Sequence, residues 1–258
     1  VALCVTGMGK VNTAMTLQAI LMDDRFDFSS AYIISTGCAG SAIEYGVMGD
    51  VFVITATVDY DLGHHADARE LTTDVETTWF HDESYDDASH KVLNQELCDK
   101  VYNLVKDVEI ETTEKTRAFM AATFENADWA VRDPKVLRGT TVTGDNYWKG
   151  QHGHENALLM AETYACPDPY ALTEMEDNAM AVVLDRLGML DRYIIIRDSV
   201  NTDVFMNGAS PESLWDPNFV DSLASESSVE SADIFATAMK NNYTVGLVVV
   251  DAILNGEL

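Results

Sequence analysis

Short apolar runs that end at glycine or polar turns, with apolar residues at helical spacing between them, leave this 258-residue chain few architectures. Val1–Thr6 closes at Gly7-Met8-Gly9-Lys10, after which Val11, Ala14, Met15, Leu17, Ile20 and Leu21 recur at helical spacing, which reads as strand, glycine turn, helix. Ala31–Thr36 runs into Gly37-Cys38-Ala39-Gly40-Ser41, and Val51–Thr57 follows Gly46 and Gly49. Val136–Thr143 is a β-branched strand that stops at Gly144-Asp145-Asn146-Tyr147-Trp148. Tyr170–Thr173 leads into Glu174-Met175-Glu176-Asp177-Asn178, a helix over Asp177–Leu187 and a strand over Tyr193–Arg197 that opens onto Asp198-Ser199-Val200-Asn201-Thr202-Asp203. Such alternation predicts an α/β fold, one domain over residues 1–258, with a mixed, mostly parallel sheet flanked by helices.

The stretch Val58–Asp133 interrupts that rhythm with an acid-rich excursion, expected to be a solvated face, carrying helices near Gln95–Lys106 and Glu114–Ala122. Ala157–Tyr164 reads as a further helix, and Ala232–Leu254 as a long closing one with a bend at Gly246. The chain starts at Val1 inside an expected strand and without an initiator Met, so an N-terminal portion is expected ahead of it.

Charge excludes one large class of partner. Sixteen basic against 43 acidic residues give a net charge of -27, and affinity for a phosphate backbone depends on Lys and Arg, so nucleic acid is not expected. Such acidity suits a high-salt or extracellular setting, and an extracellular or periplasmic location is favoured over the cytoplasm while the compartment stays open. The longest apolar run, within Val245–Leu254, is broken by Gly246 and Asp251 and falls short of the roughly 20 residues that span a bilayer. Cys4, Cys38, Cys98 and Cys166 form no C-x-x-C pair, which leaves room for one disulfide and signals no zinc site. His64-His65 and His152-Gly153-His154 lack companion ligands at metal spacing and are expected at the surface, with no metal bound. The one sequon, Asn242-Tyr243-Thr244, falls inside the closing helix.

Ligands of α/β sheets bind beyond the carboxyl ends of strands. Candidate loops at such ends are Gly7 to Gly9, Gly37 to Ser41, Asp145 to Trp148 and Asp198 to Asn201, with the acidic motif beside them. Neither glycine loop matches a dinucleotide fingerprint or a P-loop. Two readings of Glu174-Met175-Glu176 stand side by side. Carboxylates in a first turn complement the helix dipole, a role that falls to Glu174 and Asp177, and a carboxylate can also grip a polyhydroxylated ligand.

Taken together, Gly7-Met8-Gly9-Lys10-Val11-Asn12-Thr13-Ala14, Ser35-Thr36-Gly37-Cys38-Ala39-Gly40, Gly144-Asp145-Asn146-Tyr147-Trp148 and Glu174-Met175-Glu176 resemble, in order, motifs of the nucleoside phosphorylase and nucleosidase superfamily. Tyr147-Trp148, Met175-Glu176-Asp177-Asn178 and Arg197-Asp198-Ser199-Val200-Asn201 are similar to its purine nucleoside permease branch. The resemblance implies a purine nucleoside ligand, a homo-oligomer and no cofactor, with phosphate as an optional co-substrate. It places Met175 and Glu176 at the ribose, Tyr147 and Trp148 at the base, and Asn201 where relatives carry an aspartate against the purine N7. Gly37, Cys38 and Ala39 would line the site of phosphate or attacking water, and Glu174 and Arg197 belong to the same ligand-facing set. Asp198 is a second catalytic candidate or a partner of Arg197. Phosphate-using relatives carry an arginine where this chain has Ser35, which weakens phosphorolysis, and the glutamate that activates water in hydrolytic relatives lies outside this numbering.

Three functions follow from that resemblance. One is N-glycosidic cleavage with Glu176, Asn201 and Asp198 as the catalytic set. The others are nucleoside binding for uptake without chemistry, and a structural or storage oligomer that keeps a relic pocket.

Overall fold

The computed structural model describes residues 1–72, 77–125, 127–205 and 229–258. Helix α1 spans Lys10–Leu21, strand β1 Ile33–Ser41 and β2 Val51–Asp59. The excursion carries a small hairpin, β3 (His64–His65) with β4 (Trp79–Phe80), then helix α2 (Asp86–Ser89), β5 (His90–Val92), α3 (Gln95–Val105) and α4 (Glu114–Thr123). Asn94 and Thr113 cap α3 and α4, their side-chain oxygens accepting from Leu97 N and Thr116 N. There follow β6 (Val136–Thr143), α5 (Gln151–Thr163), β7 (Tyr170–Glu174), α6 (Asp177–Arg186), β8 (Tyr193–Thr202) and α7 (Val229–Asn255), which continues through Gly246.

The sheet runs β5-β2-β6-β7-β1-β8, and β8 then pairs with β2, so that five of its strands close into a ring with β5 on its outside. The pairings β1–β8, β2–β6 and β6–β7 are parallel; β1–β7, β2–β5 and β2–β8 are antiparallel. The parallel ladders are the long ones, as expected. Closure is the new element, and β-bulges account for it: the register shifts at Ala39/Gly40, Ile54/Ala56 and Thr140/Thr141. Each bulge adds local bend and twist, which is how a sheet turns back on itself.

Both faces of β2 and β8 are buried, which is why these strands read as near-continuous apolar runs. Phe52, Ile54, Tyr193 and Ile195 pack with Leu17 of α1 and Met180, Ala181 and Leu184 of α6. The alternate residues Val51, Val53, Ile194 and Ile196 pack with Val101 and Val105 of α3 and Val245 and Val249 of α7. Continued along β8, this two-residue period sends Arg197 to the α6 face and Asp198 to the α7 face.

Several sequence expectations change. Val1–Thr6 forms no strand: Val1, Leu3 and Val5 are 96, 90 and 87% exposed, and the run has no ladder partner among the described residues. An apolar run becomes a strand only where a neighbour takes its backbone hydrogen bonds. The segments Gly37–Ser41 and Asp198–Thr202 are continuations of β1 and β8 rather than loops, because their small residues let the two strands stay paired as far as Ser41↔Thr202. Helix α5 starts at Gln151, so His152 and His154 lie on a helix, and His154 is buried. Asn242 of the sequon is also buried, its amide donating to Gly37 O (3.1 Å) and Asp198 Oδ1 (2.5 Å), so it is a packing residue closed to a glycan. All four cysteines are free thiols. No helix among the described residues is long and apolar enough to cross a membrane.

One glycine on the β6–β7 seam sets the strand spacing. A Cβ at Gly139 would lie 2.2 Å from the Ala171 Cβ, a contact neither strand can relieve without moving backbone. Gly139→Ala is expected to destabilise the fold by about 1–3 kcal/mol, an overpacking cost, read as a lower urea midpoint at unchanged slope.

Candidate functional site

Arg197 projects from β8 into the carboxyl ends of β1 and β7 and the start of α6, and meets a carboxylate on three sides. Its Nε and Nη2 donate to Asp177 (3.0 Å to Oδ2, 2.6 Å to Oδ1), and Nη2 also reaches Glu176 Oε2 at 3.2 Å and Glu174 Oε2 at 3.4 Å. The remaining nitrogen, Nη1, donates to Cys38 O at 3.3 Å. Burial by itself would lower the guanidinium pKa, but Asp177 and Glu174 outweigh it and hold the group well above its ordinary value. Gly37 is required here, since a Cβ would stand 2.7 Å from Arg197 Nη1.

The three carboxylates divide the work unequally. Glu174 accepts from the Thr141 hydroxyl (3.1 Å), from the Thr143 hydroxyl, and from the backbone N–H groups of Glu176 (2.5 Å) and Asp177 (2.7 Å). Those last two bonds cap α6. Every lone-pair direction is taken, so Glu174 holds the site together and is closed to a ligand, contrary to its place among the expected ligand residues. Burial, then the nearby Asp177, push its carboxyl up, against the pull of Arg197 and the Thr143 hydroxyl. Asp177, expected only as a helix cap, is fully buried and accepts from Ser35 Oγ at 2.7 Å as well as from Arg197. Glu176 alone is open, with 16% of its side chain exposed against 1% for Glu174 and 0% for Asp177.

Glu176 also joins the first glycine turn to the site, because Gly9 N donates to its Oε1 at 3.0 Å. At the same helix start Lys10 N donates to Asp145 Oδ1 (2.8 Å), while Lys10 Nζ is shared between Asp59 and Asp61 at 2.8 Å each. Burial would lower the Lys10 pKa, yet the bonds to Asp59 and Asp61 raise it. Asp61 in turn accepts from Asp145 N (2.6 Å) and Asn146 Nδ2 (2.8 Å), which ties the loop after β6 to the loop after β2.

The aromatic pair faces two ways. Tyr147 is 65% exposed, and its hydroxyl accepts from Asn201 Nδ2 at 3.2 Å, so the loop after β6 and the end of β8 meet across the site. Trp148 turns inward: it stacks on Tyr60 with ring centroids 4.9 Å apart, over Gly153, where a Cβ would come within 2.3 Å of the indole. A Cβ at Gly40 would sit 2.6 Å from Asn201 Oδ1, so β1 leaves room for that amide. Met175 is half-buried between the two glutamates. Ala39 is buried in the core below the α6 face.

Asp198 stands apart from this group. It lies on the α7 face, where Asn242 bonds Oδ1 and Oδ2 has no hydrogen-bond partner among the described residues, so it does not pair with Arg197 and faces away from the carboxylate cluster. Burial pushes its carboxyl up to about 6. Cys38 shares that face by register, and burial followed by the Asp198 charge raises its thiol, which disfavours a thiolate nucleophile. Residues that sequence reasoning passed over are Asp177, Lys10, Asp59, Asp61 and the buried pair His154–Asp203. The signal for Lys10 was its place after a glycine turn; for Asp203, its place at the end of a strand.

A bulged, closed mixed sheet with a carboxylate cluster at strand ends defines a protein of nucleoside phosphorylase-like fold. Solved structures bear this out. The 5′-methylthioadenosine/S-adenosylhomocysteine nucleosidase of Neisseria meningitidis superposes with a TM-score of 0.55 over 96% of this chain and 79% of its own, at 18% identity. Futalosine hydrolase of Helicobacter pylori gives 0.54 over 95% and 77%, at 14% identity. The chain belongs to the purine nucleoside permease family, whose sequence profile matches residues 1–257. Curated relatives include a probable purine nucleoside permease of Schizosaccharomyces pombe, 28% identical over 221 residues, 77% of this chain and 63% of that protein. The purine nucleoside permease of Candida albicans is 26% identical over 215 residues, 74% and 52% of the two chains. The chain thus spans between about half and two thirds of the length of these relatives.

Removing the cation from this cluster strands three carboxylates. Arg197→Met is expected to cost at least about 3 kcal/mol at pH 7 in urea unfolding, with part of the loss recovered at pH 5 as Glu174, whose carboxyl burial already pushes up, takes up a proton. A second pH effect belongs to Asp198. Its folded pKa lies above the unfolded carboxylate value, so it favours the folded state below about pH 4, and that contribution is lost as pH rises to about 6. Asp198→Asn should remove on the order of 3 kcal/mol from the difference in unfolding free energy between pH 4 and pH 7.

Proposed function

We propose that this chain binds a purine nucleoside between Glu176, Met175, Tyr147 and Asn201, and cleaves its N-glycosidic bond with water as the nucleophile. The observation that carries this reading is the asymmetry around Arg197: of three carboxylates, only Glu176 is open, and it is held from behind by Arg197 and Gly9 N. A fixed carboxylate of that kind accepts from two adjacent sugar hydroxyls, the 2′- and 3′-hydroxyls of a ribose. Tyr147 offers an aromatic face to the base. In cleavage the C1′–N9 bond breaks with its electron pair going to the base, and water supplies both the hydroxyl taken by C1′ and the proton taken by the departing purine. Asn201 Nδ2 stabilises the charge that builds on that purine, as a preorganised donor.

Phosphate fits this site poorly. Arg197 is already surrounded by Glu174, Glu176 and Asp177, Lys10 is shared by Asp59 and Asp61, and Ser35 spends its hydroxyl on Asp177. A dianion brought here would face more negative charge than positive. Binding without cleavage, as a part of nucleoside uptake, is the second reading. It is favoured by Asn201 itself, whose amide has no acidic proton to give a leaving base.

Incubation with inosine, guanosine and adenosine, with and without phosphate, followed by chromatography of free base, separates the readings. Release of base at the same rate in both conditions is expected, and phosphate-dependent release would refute the choice of water. Tight binding without release would leave the uptake reading. Glu176→Ala should lower nucleoside affinity by at least about a hundredfold, as expected for a lost charged hydrogen-bond acceptor; equilibrium dialysis that finds wild-type affinity in this variant would sink the nucleoside assignment.

A further inference from the structure

Beyond Asn201, β8 ends at a buried carboxylate that the cleft does not use. Asp203 has no exposed side-chain surface, and four segments converge on it. Its Oδ2 accepts from His154 Nδ1 at 2.7 Å and from the Tyr170 hydroxyl at 2.8 Å, and its Oδ1 accepts from Ile43 N at 3.2 Å. Through its backbone, Asp203 N donates to Ser41 O (3.0 Å) and Asp203 O accepts from Gly150 N (2.8 Å). The residue therefore fastens the end of β8 to the end of β1, the start of β7 and the first turn of α5.

Two of these attachments bear on the cleft. The loop carrying Tyr147 and Trp148 is held at one end by Gly144 N on Glu174 O (2.9 Å) and at the other by Gly150 N on Asp203 O. Gly150 has φ 125°, and a Cβ there would meet the Phe205 ring at 3.0 Å, so this joint admits only glycine. His154 sits one turn further along α5, its N–H bonded to Gly150 O at 3.1 Å, and its ring ties that turn to the same carboxylate. Asn201 lies two residues before Asp203 on the same strand. The 3.2 Å contact of Asn201 with the Tyr147 hydroxyl is thus the gap between two segments pinned to one group.

We propose that Asp203, acting with His154 and Tyr170, is a positioning residue that sets the separation of Tyr147 and Asn201 and so the width of the base end of the cleft. The base assignment rests on the nucleoside reading above; the mechanical link does not. A carboxylate suits the task because it accepts from three donors at once, whereas an amide in its place turns an N–H2 toward the donors of His154 and Tyr170.

The test uses Asp203→Asn and Tyr170→Phe in protein labelled with 5-fluorotryptophan, the Trp148 resonance being identified by its absence in Trp148→Phe. Without ligand, that resonance should shift or broaden in both variants while far-ultraviolet circular dichroism stays that of the wild type. Hypoxanthine, the base alone, should bind at least about tenfold more weakly. A Trp148 resonance at its wild-type position and width in both variants overturns the link. Should Asp203→Asn fail to fold, Tyr170→Phe, which loses one hydroxyl and no shape, decides alone. Wild-type protein that binds none of inosine, guanosine, adenosine and hypoxanthine refutes the nucleoside reading instead, and the ligand-free fluorine signal still tests Asp203.

Discussion

One guanidinium among three carboxylates organises the structure. Arg197 comes from β8, Glu174 from the end of β7, Glu176 and Asp177 from the start of α6, and Ser35 of β1 completes the shell. A buried ion cluster is costly to desolvate and stable only when its geometry and hydrogen bonds are nearly complete. Here they are complete for Glu174 and Asp177 and incomplete for Glu176, so the same interactions that lock three strands leave one carboxylate facing outward. The closed carboxylates hold still the one that is open.

Closure of the sheet is what brings these strand ends together. In an open sheet β8 would be an edge, far from β2; with bulges in three ladders it meets β2 at Val51↔Asp198 and the ring is complete. Small residues permit this where strands crowd. Gly139 against Ala171 sets one seam, and Gly37 and Gly40 leave room for the side chains of Arg197 and Asn201 on another. The glycines that look like loop residues in the sequence are therefore strand residues chosen for what lies across from them.

Most secondary structure was legible because it follows from local rules. The strand Val136–Thr143, the helices near Gln95–Lys106 and Glu114–Ala122 and the helix from Asp177 were all expected from residues within their own segments. The misses share a cause. Whether Val1–Thr6 is a strand depends on a neighbour to pair with, and whether Gly37–Ser41 is a loop depends on what β8 does beside it. At the site, Glu176, Tyr147 and Asn201 were named by the family resemblance, and the fold brings Tyr147 and Asn201 into contact. Asp177 looked like a cap, His154 like a surface residue and Asp198 like a catalytic candidate, because burial and partner were invisible.

The sequence by itself determined that strands and helices alternate, that the chain carries a net charge of -27, and which short motifs belong together as members of one family. It also contained, in the two-residue period of β8, the reason that Arg197 and Asp198 face opposite sides of the sheet. Only the tertiary structure decided which carboxylate beside Arg197 is left open, and that Asp203, just past the end of β8, fastens that strand to Ser41, Gly150, His154 and Tyr170. Those outcomes depend on pairings between residues more than a hundred positions apart, such as Gly9 with Glu176 and Ser41 with Asn201. A local pattern specifies the conformation of its own segment, but partners at that distance are chosen by how the closed sheet packs.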